Sequence, residues 1–459
     1  DGGDDSLYTA SFTPDADSTA TPSITVAEAS YTDAVGNAGA AGTSPSINVD
    51  TTMPGVVISS DVASLAIGET AVISFTFSET PSGFEDGDIT VTGGTLSSVA
   101  VDGGDANLYT ASFTPDADST ETPSITVAEA SYTDGVGNTG AAGTSPSISV
   151  DTEAPSVTLS SDVATLIGGE TATISFVFDE VPTGFGDDDV TTTGGTLTSV
   201  TVDGDDASLY TATFTPTDNS TEVPSIAVVD ASYTDAIGNT GTAGTSPSIS
   251  VDTVAPSVTI TSDVSTLIGG ETAVISFSFS ETPSGFADGD ITTTGGTLSS
   301  VTVDGGDDSL YTATFTPDAD STATPSITVA DASYTDVAGN AGSAGTTPSI
   351  SVDTTMPGVT ISSDVAALAS GETALISFSF SEIPTGFTDG DITVTGGTLS
   401  GVTVDGGDAS LYTASFTPNT NSTETPSITV AEASYTDSAG NTGAAGMSPS
   451  ISVDTEAPS

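Results

Sequence analysis

The chain has 459 residues, of which 63 are Asp or Glu and none is Lys, Arg, His or Cys, giving a formal charge of −63. This inventory excludes side-chain salt bridges, disulfides, zinc ribbons, thiol or Ser/His/Asp catalysis, Schiff bases and cationic phosphate clamps. A polyanion without basic side chains also has no means of binding nucleic acid or an anionic membrane surface, so its charge must be balanced by dissolved salt or divalent cations.

Taken from the first residue, the chain repeats itself. Val-Asp-Thr returns at Asp50, Asp151, Asp252, Asp353 and Asp454, a spacing of 101 residues. That period is too long for helical solenoids and fits a string of separate β-sandwiches, each with its own core. Residues 1–50 read as the C-terminal half of a repeat that lacks the strands to close a sandwich. Four complete repeats follow at 51–151, 152–252, 253–353 and 354–454, and 455–459 starts another. Neither end carries a start methionine, signal peptide or anchor, and the segment is expected to be a window on a longer array. No apolar run approaches the ~20 residues of a membrane span.

Within 51–151, strands are expected near 55–60, 70–78, 88–92, 95–101, 108–114, 123–131 and 145–150. In Val72-Ile73-Ser74-Phe75-Thr76-Phe77-Ser78, Ile73, Phe75 and Phe77 share one face at a period of two, the mark of a half-buried strand. Tyr109, Ala111 and Phe113 repeat the pattern, as do Ile125 with Val127 and Ile148 with Val150. Turn residues separate these runs: Pro81-Ser82-Gly83, Gly93-Gly94, Asp102-Gly103-Gly104-Asp105, Pro115-Asp116-Ala117-Asp118 and Gly137-Asn138. The expected fold is all-β: tandem immunoglobulin-like Greek-key β-sandwiches of about 101 residues, joined by short linkers such as Asp151-Thr152-Glu153-Ala154-Pro155 into an elongated rod.

Several runs carry a family resemblance. They are Val251-Asp252-Thr253 to Pro256-Ser257-Val258-Thr259-Ile260, Gly270-Glu271-Thr272, Phe277-Ser278-Phe279-Ser280-Glu281, Gly285-Phe286, Asp290-Ile291, Tyr311 to Pro317, and Tyr334-Thr335-Asp336 with Gly339-Asn340. Together they resemble the tandem bacterial Ig-like repeats of giant type I-secreted (RTX-type) surface adhesins, over essentially the whole chain. The calcium-stabilised extender of an ice-binding adhesin is similar in repeat length and acidity. The resemblance implies export, residence on the cell surface, and a repeat array that holds a terminal binding domain away from the cell in adhesion or biofilm formation.

Calcium is the natural cation for such a chain, because it takes six to eight hard oxygen ligands and no nitrogen or sulfur ligand is on offer. The first candidate site lies where repeats join. There a boundary carboxylate (Asp50, Asp151, Asp252, Asp353, Asp454), the Asp of Tyr-Thr-Asp (Asp33, Asp134, Asp235, Asp336, Asp437) and an early Asp of the next unit (Asp61, Asp162, Asp263, Asp364) are expected to converge. The competing reading is that these carboxylates accept backbone hydrogen bonds in turns. A second candidate is Asp86-Gly87-Asp88 with its copies Asp187/Asp189, Asp288/Asp290 and Asp389/Asp391, which Glu79, Glu180, Glu281 and Glu382 could approach. An Asx-turn explains that pattern equally well. Asp102 with Asp105 is explained by its hairpin turn, and Asp116-Ala117-Asp118 reads as a solvated loop because Asn419-Thr420-Asn421 replaces it in the last repeat.

The functional expectation is a structural, non-enzymatic extender segment of a secreted, cell-surface adhesin. Its partners are calcium ions and neighbouring repeats of the same chain. The alternative is a subunit of a self-assembling extracellular filament or sheath, in which like chains pack laterally or exchange strands. Ligand binding within the repeats, to carbohydrate or ice, rests on rows such as Thr191-Thr192-Thr193, which β-propensity already accounts for.

Overall fold

The computed structural model describes residues 5–447 and 449–457. The first four residues of the half repeat and the last two of the 455–459 segment lie outside the described residues. The chain is divided into two compact units: Asp1–Ala164, Thr171–Pro216 and Val223–Ile249 form one, and Thr165–Glu170, Thr217–Glu222 and Ser250–Ser459 the other.

In the first unit, residues 51–151 hold nine strands: β1 (Val56–Ser60), β2 (Ser64–Leu65), β3 (Ala71–Phe77), β4 (Ile89–Thr92), β5 (Gly94–Leu96), β6 (Ala100–Val101), β7 (Leu108–Pro115), β8 (Ser124–Val127) and β9 (Ser149–Val150). One sheet has the order β1-β3-β7-β5, with β6 also on β7; β4 pairs antiparallel with β8, and β2 pairs with β9. The β2–β9 pairing is parallel, Ser64 opposite Ser149 and Leu65 opposite Val150. The only helical element of the repeat is a 3-10 turn at Asp86–Asp88.

Alternation places the core. Ala71, Ile73, Phe75 and Phe77 of β3 point inward and are buried, with Ala111 and Phe113 of β7, Ile125 and Val127 of β8, and Tyr132. Phe77 packs edge-on against Phe84 at 4.8 Å, Tyr132 at 5.0 Å and Tyr109 at 5.8 Å between ring centroids, so the aromatic rings interlock in the T-shaped geometry their quadrupoles favour. The Tyr132 hydroxyl donates at 3.0 Å towards the Pro54 and Ala141 carbonyls, which ties the start of the repeat to its last loop. Gly140 is required beneath that ring, because a Cβ there would run into it.

The first unit also carries Val157–Ser161, Ala172–Phe178, Val190–Thr193, Gly195–Leu197, Thr201–Val202, Leu209–Pro216 and Ser225–Val228, which repeat β1, β3–β8 in order and pairing. In the second unit, Thr165–Leu166 pairs parallel with Ser250–Val251, and two further complete sets of strands cover 253–353 and 354–454, each around its own aromatic core. The chain is thus all-β, in tandem Ig-like repeats. Among the described residues no helix is long and apolar enough to cross a membrane.

Two expected strands are shorter and one is divided. The 95–101 run separates into β5 and β6, because the Val99 N–H leaves the sheet to reach the Asp86 carboxylate at 2.8 Å. The 145–150 run keeps only Ser149–Val150, since the Ser145 hydroxyl caps the Ile125 N–H at 3.0 Å and Pro146 follows. The 123–131 run stops at Val127, before Ala130 turns to φ +59°.

Candidate metal centre at the repeat joints

The joint is built by two sets of backbone bonds that face opposite ways. Asp151 and also Thr152, the first residue of the next repeat by the sequence period, are held by the preceding repeat: the Asp151 N–H donates to the Leu65 carbonyl at 3.0 Å and the Thr152 N–H to the Ser119 carbonyl at 2.9 Å. The Thr152 hydroxyl adds a bond to the Asp116 carbonyl at 2.7 Å and accepts the Ser119 N–H at 3.0 Å. Three residues on, the Pro155 carbonyl accepts the Thr242 N–H and the Tyr233 hydroxyl of the following repeat. The Asp151 carboxylate therefore stands at the hand-over point, fixed by one repeat and presented to the next.

Two acidic side chains of the next repeat meet it there. Carboxylate oxygens of Asp151, Glu180 and Asp235 all lie within 4.8 Å of one another, and the same grouping forms at Asp50/Glu79/Asp134, Asp252/Glu281/Asp336 and Asp353/Glu382/Asp437. The Tyr-Thr-Asp carboxylate is placed by its own loop: Asp134 Oδ1 accepts the N–H groups of Val136, Gly137 and Asn138 at 2.9, 2.6 and 2.9 Å, and Oδ2 accepts the Asn138 carboxamide at 2.6 Å. Burial pushes the Asp134 carboxyl up, but the donors from Asn138, Gly137 and Val136 outweigh it and hold the group below its ordinary value. Asp437 is lowered in the same way.

The glutamates behave oppositely. Burial first, then the charges of the two neighbouring aspartates, push Glu79, Glu281 and Glu382 above the usual carboxyl range; for Glu180, burial is followed by Asp235, Asp151, Asp179 and Glu153. Among the described residues no hydrogen bond reaches these glutamate carboxylates, whereas Glu69, in the turn before β3, accepts the Ala66 N–H at 3.0 Å. Each joint thus gathers three carboxylates, one with no donor among the described residues, in a chain that has no basic side chain. Such a triad could bind a metal ion.

The other candidate residues are placed elsewhere. Asp61, Asp162, Asp263 and Asp364 are outside the triads and close the first hairpin of their repeats, accepting the N–H of Val72, Thr173, Val274 and Leu375 at 2.7–2.8 Å. Asp86, Asp187, Asp288 and Asp389 accept the N–H of Val99, Val200, Val301 and Val402. Asp88, Asp189, Asp290 and Asp391 accept the N–H that opens their 3-10 turn. Asp33 is held in its loop by Val35 and Asn37, and Asp454 accepts the Glu456 N–H; neither is part of a triad among the described residues. Glu79 and its copies, which sequence reasoning set beside Asp86 and Asp88, stand instead with the boundary and Tyr-Thr-Asp carboxylates. The asparagine of Gly-Asn was read from sequence as a turn residue and part of the family pattern, with no role at the joint, although Asn37, Asn138, Asn239, Asn340 and Asn441 recur while the two residues after each Tyr-Thr-Asp vary.

Comparison with protein families returns one described as a bacterial Ig-like domain, matched five times over residues 1–49, 50–150, 151–251, 252–352 and 353–453. No curated protein matches. Solved structures similar to the chain include the Escherichia coli adhesin FdeC, at 15% identity and TM-score 0.28 over 65% of this chain and 96% of that one. The I9–I11 tandem of titin is 8% identical with a TM-score of 0.24, over 66% and 98%. The Yersinia pseudotuberculosis adhesin InvE is 15% identical with a TM-score of 0.18, over 48% and 66%.

Proposed function

Since the chain belongs to the bacterial Ig-like domain family, we propose that it is an extender segment of a bacterial cell-surface adhesin whose joints are stiffened by calcium. The role is mechanical: the repeats carry a binding domain elsewhere in the protein to its target outside the cell. The observation that carries this reading is the triad at each joint, where a carboxylate anchored by one repeat meets two from the next. An ion held there ties successive repeats together and removes the like-charge repulsion that otherwise pushes them apart.

The donor set favours calcium over magnesium. Three carboxylates whose oxygens lie within 4.8 Å of one another suit calcium, which takes six to eight oxygen ligands in flexible geometry, better than magnesium, which demands a near-ideal octahedron and keeps several of its waters. Asp151 and Asp235 would supply oxygens already oriented by hydrogen bonds, and Glu180 the adaptable one. Binding only to the folded joint raises stability by mass action.

The test is thermal unfolding of the whole chain, titrated with calcium and separately with magnesium at fixed ionic strength. A large calcium-specific rise in melting temperature is expected, reduced by Glu180→Gln and its equivalents in the other repeats. An equal response to both ions, or to monovalent salt, would show simple screening and overturn the calcium reading.

A further inference from the structure

At three joints the asparagine of the Gly-Asn pair reaches past its own repeat. The Asn239 carboxamide oxygen accepts the backbone N–H of Ile67 at 2.6 Å, and Asn340 and Asn441 accept those of Gly168 and Gly269 at 2.7 and 2.6 Å. The same carboxamides donate to the boundary carbonyls of Asp151, Asp252 and Asp353 at 2.8–2.9 Å and to Asp235, Asp336 and Asp437 Oδ2 at 2.6–2.8 Å. Both amide hydrogens and the oxygen are engaged, and the orientation is fixed: turning the group over would set N–H against N–H and oxygen against two oxygens. Asn239 is 2% exposed, Asn340 5% and Asn441 6%, so each bond is shielded from water.

The donating side is equally prepared. Ala66-Ile67-Gly68-Glu69 is a tight turn closed by the Glu69 N–H to the Ala66 carbonyl at 3.2 Å and, in reverse, by the Glu69 carboxylate to the Ala66 N–H at 3.0 Å. Gly68 has φ +76°, which fits the third position of a type II turn. In that turn the second residue's N–H is not used internally and points outward, and in Ile67, Gly168 and Gly269 this is the N–H the asparagine takes.

We propose that this asparagine is an ion-independent latch between successive repeats, which couples the loop that carries a triad aspartate to the preceding repeat's β2 turn. The chain contains its own controls. Asn138 makes the same bonds to Asp134 and to the Asp50 carbonyl but has no turn N–H on its oxygen among the described residues. Ser370 occupies the donating position of the last turn, where Gly371 has φ +85°, and meets no asparagine among the described residues. The latch stands apart from the calcium reading, since none of its bonds involves an ion.

The test uses the full chain in excess chelator. Asn239→Ala should speed hydrogen exchange across residues 64–70, in a different repeat, by about tenfold, the value of a lost buried hydrogen bond. Residues 165–170, latched by the untouched Asn340, should not change, nor should any complete-repeat turn in Asn138→Ala. A second pair leaves the asparagine loop intact. Proline suits the second position of a type II turn, so Ile67→Pro keeps the turn and removes the N–H that crosses the joint, and Ser370→Pro removes the corresponding N–H where nothing is latched among the described residues. With no native cysteine, spin labels at Thr90→Cys and Thr191→Cys report the joint alone. Ile67→Pro should broaden their distance distribution and Ser370→Pro should leave it unchanged. An unaltered distribution in Ile67→Pro, or equal acceleration of 64–70 and 165–170 in Asn239→Ala, would overturn the latch. Loss of calcium-specific stabilisation with the latch intact would instead count against the metal reading.

Discussion

Residues 5–50 and 106–151 are nearly the same sequence in two environments. In the complete repeat Phe113 and Ile125 are 0% exposed and Tyr132 is 2%. Their counterparts Phe12, Ile24 and Tyr31 are 45%, 41% and 55% exposed, and no strand forms among the described residues 5–50. Yet the loops survive: Asp33 still takes the Asn37 N–H at 2.9 Å and its carboxamide at 2.7 Å, and the Thr51 hydroxyl still reaches the Asp15 carbonyl at 2.7 Å. The turns are therefore locally encoded, while the strands depend on the first half of a complete repeat, where β3, β4 and β2 are the ladder partners of β7, β8 and β9 and β1 and β3 supply much of the core.

The largest expected effect sharpens that contrast. Phe113→Ala removes a ring from the centre of a packed core and should destabilise its repeat by about 3–5 kcal/mol, read from denaturant unfolding. Phe12→Ala, the same change at the same repeat position, should alter stability by less than about 0.5 kcal/mol. A comparable cost at both positions would mean that residues 5–50 pack a core of their own.

A smaller effect is expected from one methyl group. A Cβ at Gly140 would overlap the Tyr132 ring, and one at Gly39 would overlap the Tyr31 ring. Tyr132 is enclosed and its hydroxyl bridges two carbonyls, so Gly140→Ala must displace a buried ring, at about 1–3 kcal/mol. Tyr31 is more than half exposed and can swing aside, so Gly39→Ala should be close to neutral. Thermal unfolding of the two variants separates crowding from enclosure, since the local overlap is the same.

The contrast also explains what the sequence made legible. Ile73, Phe75 and Phe77 announce their strand through a period of two, because side-chain alternation is a property of the strand alone. β2 did not announce itself: two residues, Ser64 and Leu65, become a strand only by pairing with Ser149 and Val150, some 85 positions away. The division between β5 and β6 likewise depends on a carboxylate from a different turn, Asp86. At the joint, the acidic residue types and the boundary position could be read directly. The partnership of Glu79 with Asp50 and Asp134 could not, because Glu79 follows β3 by two residues and its direction is set by how that strand enters the sheet. The latch was hidden for the same reason, since its two ends lie 172 residues apart.

The smallest effect concerns acid, and it distinguishes the joints from the half repeat. In chelator, Glu79, Glu180, Glu281 and Glu382 are raised above 4.5 in the folded chain. The folded state then holds their protons at a pH where the unfolded chain has released them. That stabilisation is complete below about 4.5 and disappears as pH rises through the raised values. Asp134 and Asp437 are lowered below 3.8, so their contribution is present above that value and is lost as pH falls through the depressed ones. Melting temperature in chelator should accordingly rise on acidification from neutral pH as the glutamates take up protons, and fall again at lower pH as the aspartates do. Under the proposed calcium reading, saturating calcium should flatten the upper limb, because an ion held by the triad would compete with the proton for the glutamate oxygens. Replacing the four glutamates by glutamine should remove that limb in chelator and leave the acid fall in place. The Asp33 loop, which has no glutamate beside it among the described residues and is held low by Asn37 and Val35, should show only the acid fall when followed by exchange of its own amides. An upper limb that survives the four substitutions would place the effect in the chain's general charge rather than at its joints.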